Sequence, residues 1–180
     1  YLRTVPPIKN QVPRIAELPF MLKVAMKFGA VHHKPVQNVQ APPSSDRKAY
    51  GHYLSRIGLC NDCHSMTDKG PDEEDNLLAG STAPLTERQY GKVWARNLTP
   101  DAETGLGKYS ADQIKQSLRS GKRLDGKPMA PPMSLVIPHL STWTDEDLDA
   151  LITYLKSVPA KPQKVPEPEL NEAAKATLGG

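Results

Sequence analysis

The chain has 180 residues and a formal net charge of +3, from 23 basic and 20 acidic side chains. So small an excess, without a stripe of Lys and Arg interleaved with aromatic residues, argues against nucleic-acid binding. No stretch approaches the roughly 18 apolar residues that a membrane-spanning helix needs, and residues 1–7 lack a signal-peptide pattern. We therefore expect a soluble piece, one domain with extensions, cut from a longer protein.

Proline clusters at both ends of the chain and predicts extended arms there. The 18 prolines are concentrated between residues 5 and 43 and again after Val158. Because proline lacks an amide hydrogen and favours extended backbone, we expect residues 1–44 to form an arm or linker and residues 159–180 an extended or disordered tail. Within the first arm, we expect residues 19–31 to form a short helix. Its apolar surface would be covered by the domain, by a partner or by a membrane.

A sequence repeat connects the two ends. Residues 1–7 resemble residues 154–160, and the likeness resumes at 11–13 with 164–166 and at 17–18 with 169–170. One explanation is that Tyr1 lies at the end of the final helix of a preceding, similar domain. The alternative is a coincidence between two helix ends that each stop at proline.

We expect residues 45–158 to form an all-α domain, because no strand pattern longer than a few residues occurs among them. Ser45 is a suitable N-cap for a helix over residues 46–57. The buried side chains of this helix are expected at i, i+3, i+4 and i+7, namely Tyr50, Tyr53, Leu54 and Ile57. Residues 66–108 are expected to be mostly loop.

Two later helices have start and stop signals. Ser110 and Gln113 match a capping box for a helix that Gly121 ends. Thr144 caps the last helix, and Pro159 stops it. The core stripe of the last helix consists of Leu148, Leu151, Ile152 and Leu155. Between these two helices, the prolines of residues 128–138 predict a stiff loop.

The two cysteines lie three residues apart, in Cys60-Asn61-Asp62-Cys63-His64. C-x-x-C-H is the attachment pattern of a c-type haem, because two thiols on one helical turn can reach both vinyl groups of a porphyrin and form thioethers. His64 is then held beneath the iron as its proximal ligand. We therefore predict one haem c, covalently attached through Cys60 and Cys63.

Two other chemistries use a close pair of cysteines. A thioredoxin-like pair requires a strand–helix context and has no use for the neighbouring histidine. A structural zinc site requires two further ligands at metal-binding spacing. The other four histidines are scattered, however, and the chain has no third cysteine. Haem fits the sequence better than either alternative.

The sixth ligand of the iron must come from a distant loop that can cross the opposite haem face. Met129, Met133 and His139 are the candidates, since all three lie in the proline-rich loop. Prolines leave this loop little conformational entropy to lose when a side chain is held at the iron. His139 would give a lower potential than either methionine.

These features resemble class I cytochromes c, and in particular the haem domains of cytochrome c subunits of bacterial membrane-bound dehydrogenases for alcohols or gluconate. The resemblance covers residues 45–158. It rests on the following segments: Gly51-His52-Tyr53-Leu54, the C-x-x-C-H motif, Asn97-Leu98-Thr99-Pro100-Asp101, Thr104-Gly105-Leu106-Gly107, Leu118-Arg119-Ser120-Gly121, Asp125-Gly126, and Thr144-Asp145-Glu146-Asp147-Leu148 running to Tyr154-Leu155.

The resemblance implies a class I cytochrome c fold, in which about three to five helices surround one haem. It implies that Gly51 and Tyr53 of the first helix meet Leu151 and Tyr154 of the last, with the glycine allowing a close crossing. Family members often carry several haem domains in tandem, which agrees with the repeat at the two ends of this chain.

The resemblance also suggests site residues. In the family a methionine follows the Asp-Gly pair at the distance of Met133, usually before a proline, which Ser134 replaces here. Met133 is thus the expected distal ligand, with Met129 as a competitor. Arg96 and Asn97 are expected near the haem edge, where they can hold propionates; for Arg96 the alternative is an ordinary exposed arginine.

The function implied is electron transfer on the periplasmic side of a membrane. Electrons would come from a dehydrogenase or another haem and pass to an oxidase or a soluble cytochrome, so the chain would be a carrier and not an enzyme. Two alternatives stay open. One is a haem enzyme with a labile sixth position, and the other is a subunit whose haem relays electrons within a larger respiratory complex.

Overall fold

The structure is a computed structural model that describes residues 4–7, 9, 24, 40–87 and 90–178. The chain divides into two compact units, Tyr1–Gln40 and Ala41–Gly180. The helix predicted over residues 19–31 lies outside the described residues except at Val24, which is helical. The described part of the second unit contains six helices and two small sheets.

The elements of the second unit follow in chain order. They are α1 (Arg47–Ile57), α2 (Cys60–His64), β1 (Met66–Thr67), β2 (Gly70–Pro71), β3 (Leu85–Glu87), β4 (Gly91–Val93), α3 (Ala111–Ser120), α4 (Met133–Leu140), α5 (Asp145–Leu155), β5 (Glu169–Leu170) and α6 (Glu172–Leu178). Strands β1 and β2 form an antiparallel pair, and β3, β4 and β5 form a second antiparallel sheet in that order. The predicted all-α domain is therefore correct for the helices but not for these five strands, each of two or three residues.

Helix α1 differs from its prediction at its start and on its buried face. Its N-cap is Asp46, one residue after the predicted Ser45, because the Asp46 carboxylate accepts a hydrogen bond from the amide of Ala49 at 3.1 Å. Leu54 is buried as expected, whereas Ile57 is 53% exposed. Gly51 and Ser55 complete the buried face with Leu54.

The shift of that face follows from how α1 crosses α5. A side-chain carbon placed on Gly51 would lie 2.0 Å from the carbonyl oxygen of Ala150 and 2.8 Å from Cβ of Tyr154. At the start of α5, the Tyr50 hydroxyl donates to the Asp147 carboxylate at 2.9 Å. The expected close crossing at Gly51 is therefore present, and it turns residues 51, 54 and 55 towards α5.

The caps of α3 and α5 agree with the sequence. Ser110 and Gln113 form a complete capping box, and Gly121 ends α3 in the left-handed conformation with φ of 69°. Thr144 and Asp147 form a second capping box at the start of α5. The predicted core stripe of α5 is buried, with every member at most 4% exposed: Leu148, Leu151, Ile152 and Leu155.

The expectation of a stiff loop over residues 128–138 is wrong in its second half, where α4 begins. Pro132 is the N-cap of α4. Proline is compatible with the first turn of a helix, since the amide hydrogens there have no intrahelical partner. Pro138 lies inside this short helix, and the buried side chains of Ile137 and Leu140 attach α4 to the domain.

The tail after α5 differs from the expected extended or disordered segment. Residues 159–168 are indeed without helix or strand, but they are followed by β5 and α6. The side chains of Val165 and Ala174 are 8% and 2% exposed, so both are buried against the domain.

None of the helices in the described ranges is long and apolar enough to cross a membrane.

Candidate haem-attachment site

Helix α2 presents the two cysteines and the histidine of the motif. Helix α1 stops at Gly58, and Leu59 turns the chain with a left-handed φ of 54° before α2 begins at Cys60. The five residues of α2 form little more than one helical turn, so Cys60 and Cys63, at i and i+3, share one face. Both cysteines are free thiols and partly buried.

Both thiols are held in the neutral form. Burial raises the pKa of Cys60 to about 11. Burial also raises the pKa of Cys63, and the nearby Asp62 carboxylate adds to the rise. A reactive, thioredoxin-like cysteine instead has a lowered pKa, because the thiolate is the nucleophile. The environment of these thiols therefore argues against the thioredoxin-like alternative. Among the described residues, no group of three or more His, Cys, Asp and Glu side chains is placed to hold a metal ion, which argues against the zinc site.

The imidazole of His64 is oriented by a backbone carbonyl. Its Nδ1 atom lies 2.7 Å from the carbonyl oxygen of Arg96. Because a carbonyl oxygen only accepts, Nδ1 carries the hydrogen and the lone pair is left on Nε2. Burial lowers the pKa of His64, which keeps the ring neutral. A neutral imidazole whose second nitrogen is hydrogen-bonded is the arrangement found in metal-ligating histidines.

Apolar side chains surround the motif and contact the core. The buried core includes Leu78, Ile114 and Leu151, and Cys60 packs against it. Further hydrophobic side chains pack against this core but are only partly buried: Leu77, Leu98, Tyr109, Leu118, Leu124 and Trp143. Half-covered apolar surface of this kind fits an apolar macrocycle. The thiol pair, the oriented histidine and this surface together fit a covalently attached haem.

The three candidates for the distal ligand have different positions. Met133 is the first residue of α4 and is partly buried. Met129 is also partly buried, and its amide donates to the carbonyl of Gly121 at 2.9 Å. His139 lies near the end of α4 with an exposed side chain. All three residues stay candidates for the distal ligand.

Asn97 has a different environment from the one expected of a propionate ligand. The side chain is 3% exposed. Its Nδ2 atom donates to Thr104 Oγ1 at 2.9 Å and to the carbonyl of Lys161 at 2.8 Å. Its Oδ1 atom accepts from the amide of Thr99 at 2.8 Å and from Thr99 Oγ1 at 2.7 Å. Since the protein itself uses both amide hydrogens, Asn97 has a structural role.

Replacement of Asn97 by alanine is expected to lower the free energy of unfolding by about 2 kcal/mol, because buried hydrogen-bonding groups lose their partners. Chemical unfolding followed by circular dichroism measures the change. Thr153→Ala is the matched control, since this exposed hydroxyl donates to the Asp149 carbonyl in its own helix. Equal stability of the two variants would contradict the structural role of Asn97.

Arg96 contributes to the site through its backbone. The carbonyl of Arg96 holds His64, whereas its guanidinium contacts the tail through the carbonyl of Val165 at 3.1 Å and the carboxylate of Glu167 at 2.8 Å. The Arg96 side chain is 32% exposed. The sequence pointed to Arg96 but not to its contact with His64. That contact is made by a backbone carbonyl, which every residue type carries.

Comparison with known proteins shows the family of this chain. The family model described as "Cytochrome c" matches residues 51–159. The cytochrome c subunit of gluconate 2-dehydrogenase from Pantoea cypripedii is 35% identical over 58% of this chain and 21% of its own length. The cytochrome subunit of fructose dehydrogenase from Gluconobacter japonicus is 30% identical over 77% of this chain and 26% of its own length.

A third relative is the cytochrome c subunit of alcohol dehydrogenase (quinone) from Gluconobacter oxydans (strain 621H). It is 35% identical over 67% of this chain and 26% of its own length. The chain therefore spans about a quarter or less of the curated relatives described here. With its C-x-x-C-H motif, oriented histidine and a family match over more than half of its residues, the chain belongs to the cytochrome c family.

Proposed function

We propose that this chain transfers electrons through one covalently bound haem c, with His64 and Met133 as the axial ligands. The observation that carries the proposal is the hydrogen bond between His64 Nδ1 and the Arg96 carbonyl, which leaves Nε2 free for iron. When bound, the haem supplies a one-electron couple between ferric and ferrous iron. The protein orients the ligands and keeps water away from the metal.

Each residue of the site has a specific task. Cys60 and Cys63 would attach the haem at two points, so that its position relative to His64 does not change between redox states. The Arg96 carbonyl makes His64 a better donor by accepting its Nδ1 hydrogen. A thioether from Met133 on the other face would raise the potential relative to a second histidine.

The partners of this chain would be redox proteins and not small-molecule substrates. The relatives are named as cytochrome subunits of gluconate, fructose and alcohol dehydrogenases. By analogy, electrons would come from a dehydrogenase or a neighbouring haem domain and leave to a terminal acceptor, at the periplasmic face of the membrane. The chemistry of the substrate would take place on another subunit, so this chain would not itself be an enzyme.

Replacement of Met133 by alanine tests the axial assignment. We expect the ferric protein to lose the weak red absorption band of sulfur-to-iron ligation, and its midpoint potential to fall, because the thioether stabilises ferrous iron. Met129→Ala is the matched control, since it removes the other methionine of this segment, and it should keep both properties. Absorption spectra and a potentiometric titration measure the two effects.

Three results would contradict the proposal. Retention of the red band in Met133→Ala, with its loss in Met129→Ala, would assign Met129 as the ligand. Absence of the band from the unaltered protein would exclude methionine ligation altogether. Tight binding of carbon monoxide to the unaltered ferrous protein would indicate a labile sixth position and favour a haem enzyme over an electron carrier.

A further inference from the structure

The tail after α5 is bound along its length by the domain. The Gln163 amide donates to Thr104 Oγ1 at 2.9 Å, and its side chain donates to the carbonyl of Gly80 at 2.8 Å. Val165 covers Gly80 so closely that a side-chain carbon there would lie 2.6 Å from Val165 Cγ2. The match to the family model ends at residue 159. Residues 161–167, which we name the strap, lie beyond the part of the chain that the family model matches.

Glu167 lies at the end of the strap between two arginines. Its carboxylate accepts two hydrogen bonds from Arg123, at 2.8 and 3.1 Å. The same carboxylate forms an ion pair with Arg96, with Oε2 at 2.8 Å from Nη2. The hydrogen bonds from Arg123 lower the pKa of Glu167 to about 2 against the opposing effect of partial burial, and the charge of Arg96 adds to this lowering. Glu167 is therefore ionised at neutral pH.

The two arginines belong to segments that lead to His64 and to Met133, the residues that would hold the iron. Arg96 holds His64 through its carbonyl. Arg123 lies in a tight turn closed by hydrogen bonds between residues 123 and 127 and between 123 and 126, and bridged at Lys122 and Pro128. Met129 follows this turn directly, and Met133 comes four residues later, at the start of α4. Glu167 thus joins the segment behind the proximal histidine to the segment before the distal methionine.

We propose that Glu167 is a positioning residue that holds these two segments together and thereby stabilises the bond between iron and the distal methionine. The inference deepens the proposed function and rests on its assignment of His64 and Met133. One exposed ion pair contributes little, but a bidentate arginine–carboxylate pair shared with a second arginine also fixes geometry. Without the carboxylate, Arg123 keeps its ion pair with Asp125, at 2.6 Å, but no shared counter-charge joins its guanidinium to that of Arg96.

Replacement of Glu167 by glutamine in the full-length, haem-loaded protein tests the inference. Imidazole added to the ferric protein displaces the distal ligand, so its apparent affinity reports how firmly that ligand is held. We expect imidazole to bind about threefold to tenfold more tightly to Glu167→Gln than to the unaltered protein, a range typical of coupled contacts. The conservative Glu167→Asp variant should recover part of the difference.

Matched controls separate positioning from general charge effects. Glu172→Gln removes a carboxylate from the same tail that pairs with Lys175 in its own helix, at 2.7 Å. Glu169→Gln removes one that pairs with Lys92 across β4 and β5, at 3.6 Å. Both controls should bind imidazole as the unaltered protein does. If Glu167 acts through Arg123, Arg123→Gln combined with Glu167→Gln should have no more effect than either change alone.

Amide hydrogen exchange gives a second readout that does not depend on the axial ligand. Loss of Glu167 is expected to speed exchange at Gly126, in the turn, and at Leu98, beside Arg96, whereas Ile114 in α3 should keep its rate. Unchanged exchange at both sites would overturn the inference. So would unchanged imidazole affinity in a protein that shows the red band. If the unaltered protein has no red band, Met133 is not the distal ligand, and the proposed stabilisation of the iron–methionine bond is wrong as well. Amide hydrogen exchange would in that case still show whether Glu167 joins the two segments.

Discussion

A protein with Cys60 and Cys63 both replaced by alanine is expected to retain no covalently bound haem. These are the only cysteines of the 180-residue chain, so no other thiol can form a thioether. The His64 ring remains, but a single coordinate bond to iron is reversible, and denaturation removes the geometry that supports it. Haem staining after denaturing electrophoresis, together with extraction into acidic acetone, measures the loss.

Two further variants define the role of each cysteine. Cys60→Ala and Cys63→Ala should each keep one thioether and therefore retain haem through denaturation, with the absorption maximum of the reduced protein moved to longer wavelength. Asp62→Asn is the matched control, because this exposed residue lies between the cysteines without taking part in attachment. Haem that stays with the double variant through denaturation would contradict attachment at this motif.

Replacement of Gly51 by alanine is expected to cost about 3 kcal/mol of stability, at the upper end of the usual cost of overpacking. The added carbon would lie 2.0 Å from the Ala150 carbonyl oxygen and 2.6 Å from its carbon. These atoms are backbone and cannot move aside by a change of rotamer, so α1 and α5 must separate. The higher helix propensity of alanine, worth about 1 kcal/mol, offsets only part of this cost.

The control for this prediction is Gly58→Ala. Gly58 ends the same helix with an ordinary φ of −74°, and an added carbon would have its nearest neighbours at 3.3 to 3.5 Å. Its stability should stay within about 1 kcal/mol of the unaltered protein. Unfolding by guanidinium chloride, followed by far-ultraviolet circular dichroism, compares the two variants. If both variants unfold at the same denaturant concentration, the close crossing at Gly51 does not limit the packing of the two helices.

Features that depend on near neighbours in the chain could be predicted from the sequence. The predicted capping box at Ser110 and the predicted N-cap at Thr144 each join residues three apart, and the hydrogen bonds at both are present. The close approach at Gly51 was implied by family resemblance and is also present. Ile57 was assigned to the buried face by periodicity alone and is exposed, because the crossing with α5 decides which face of α1 is covered.

The frequency of proline was a poor predictor of local backbone structure. Its frequency predicts extended backbone, yet α4 begins directly after Pro132 and contains Pro138. The same reasoning predicts an extended or disordered tail. Residues 159–168 are indeed without helix or strand, but hydrogen bonds to Asn97 and Gly80 hold the strap, and β5 and α6 follow it. Proline removes one donor and restricts one torsion angle. Neither property reports whether distant parts of the protein supply partners for the remaining polar groups.

The types and spacing of residues along the chain define the chemistry expected of it: two thiols and a histidine in a haem-attachment motif, and helices capped by their own side chains. How these groups are held depends on contacts between distant parts of the fold. The orientation of His64 depends on a carbonyl 32 residues away, and Asn97 is occupied by a carbonyl 64 residues away. In both contacts a side chain bonds to a backbone carbonyl, a group that every residue carries. The sequence therefore does not indicate which carbonyl will be the partner, and the folded chain is needed to identify it.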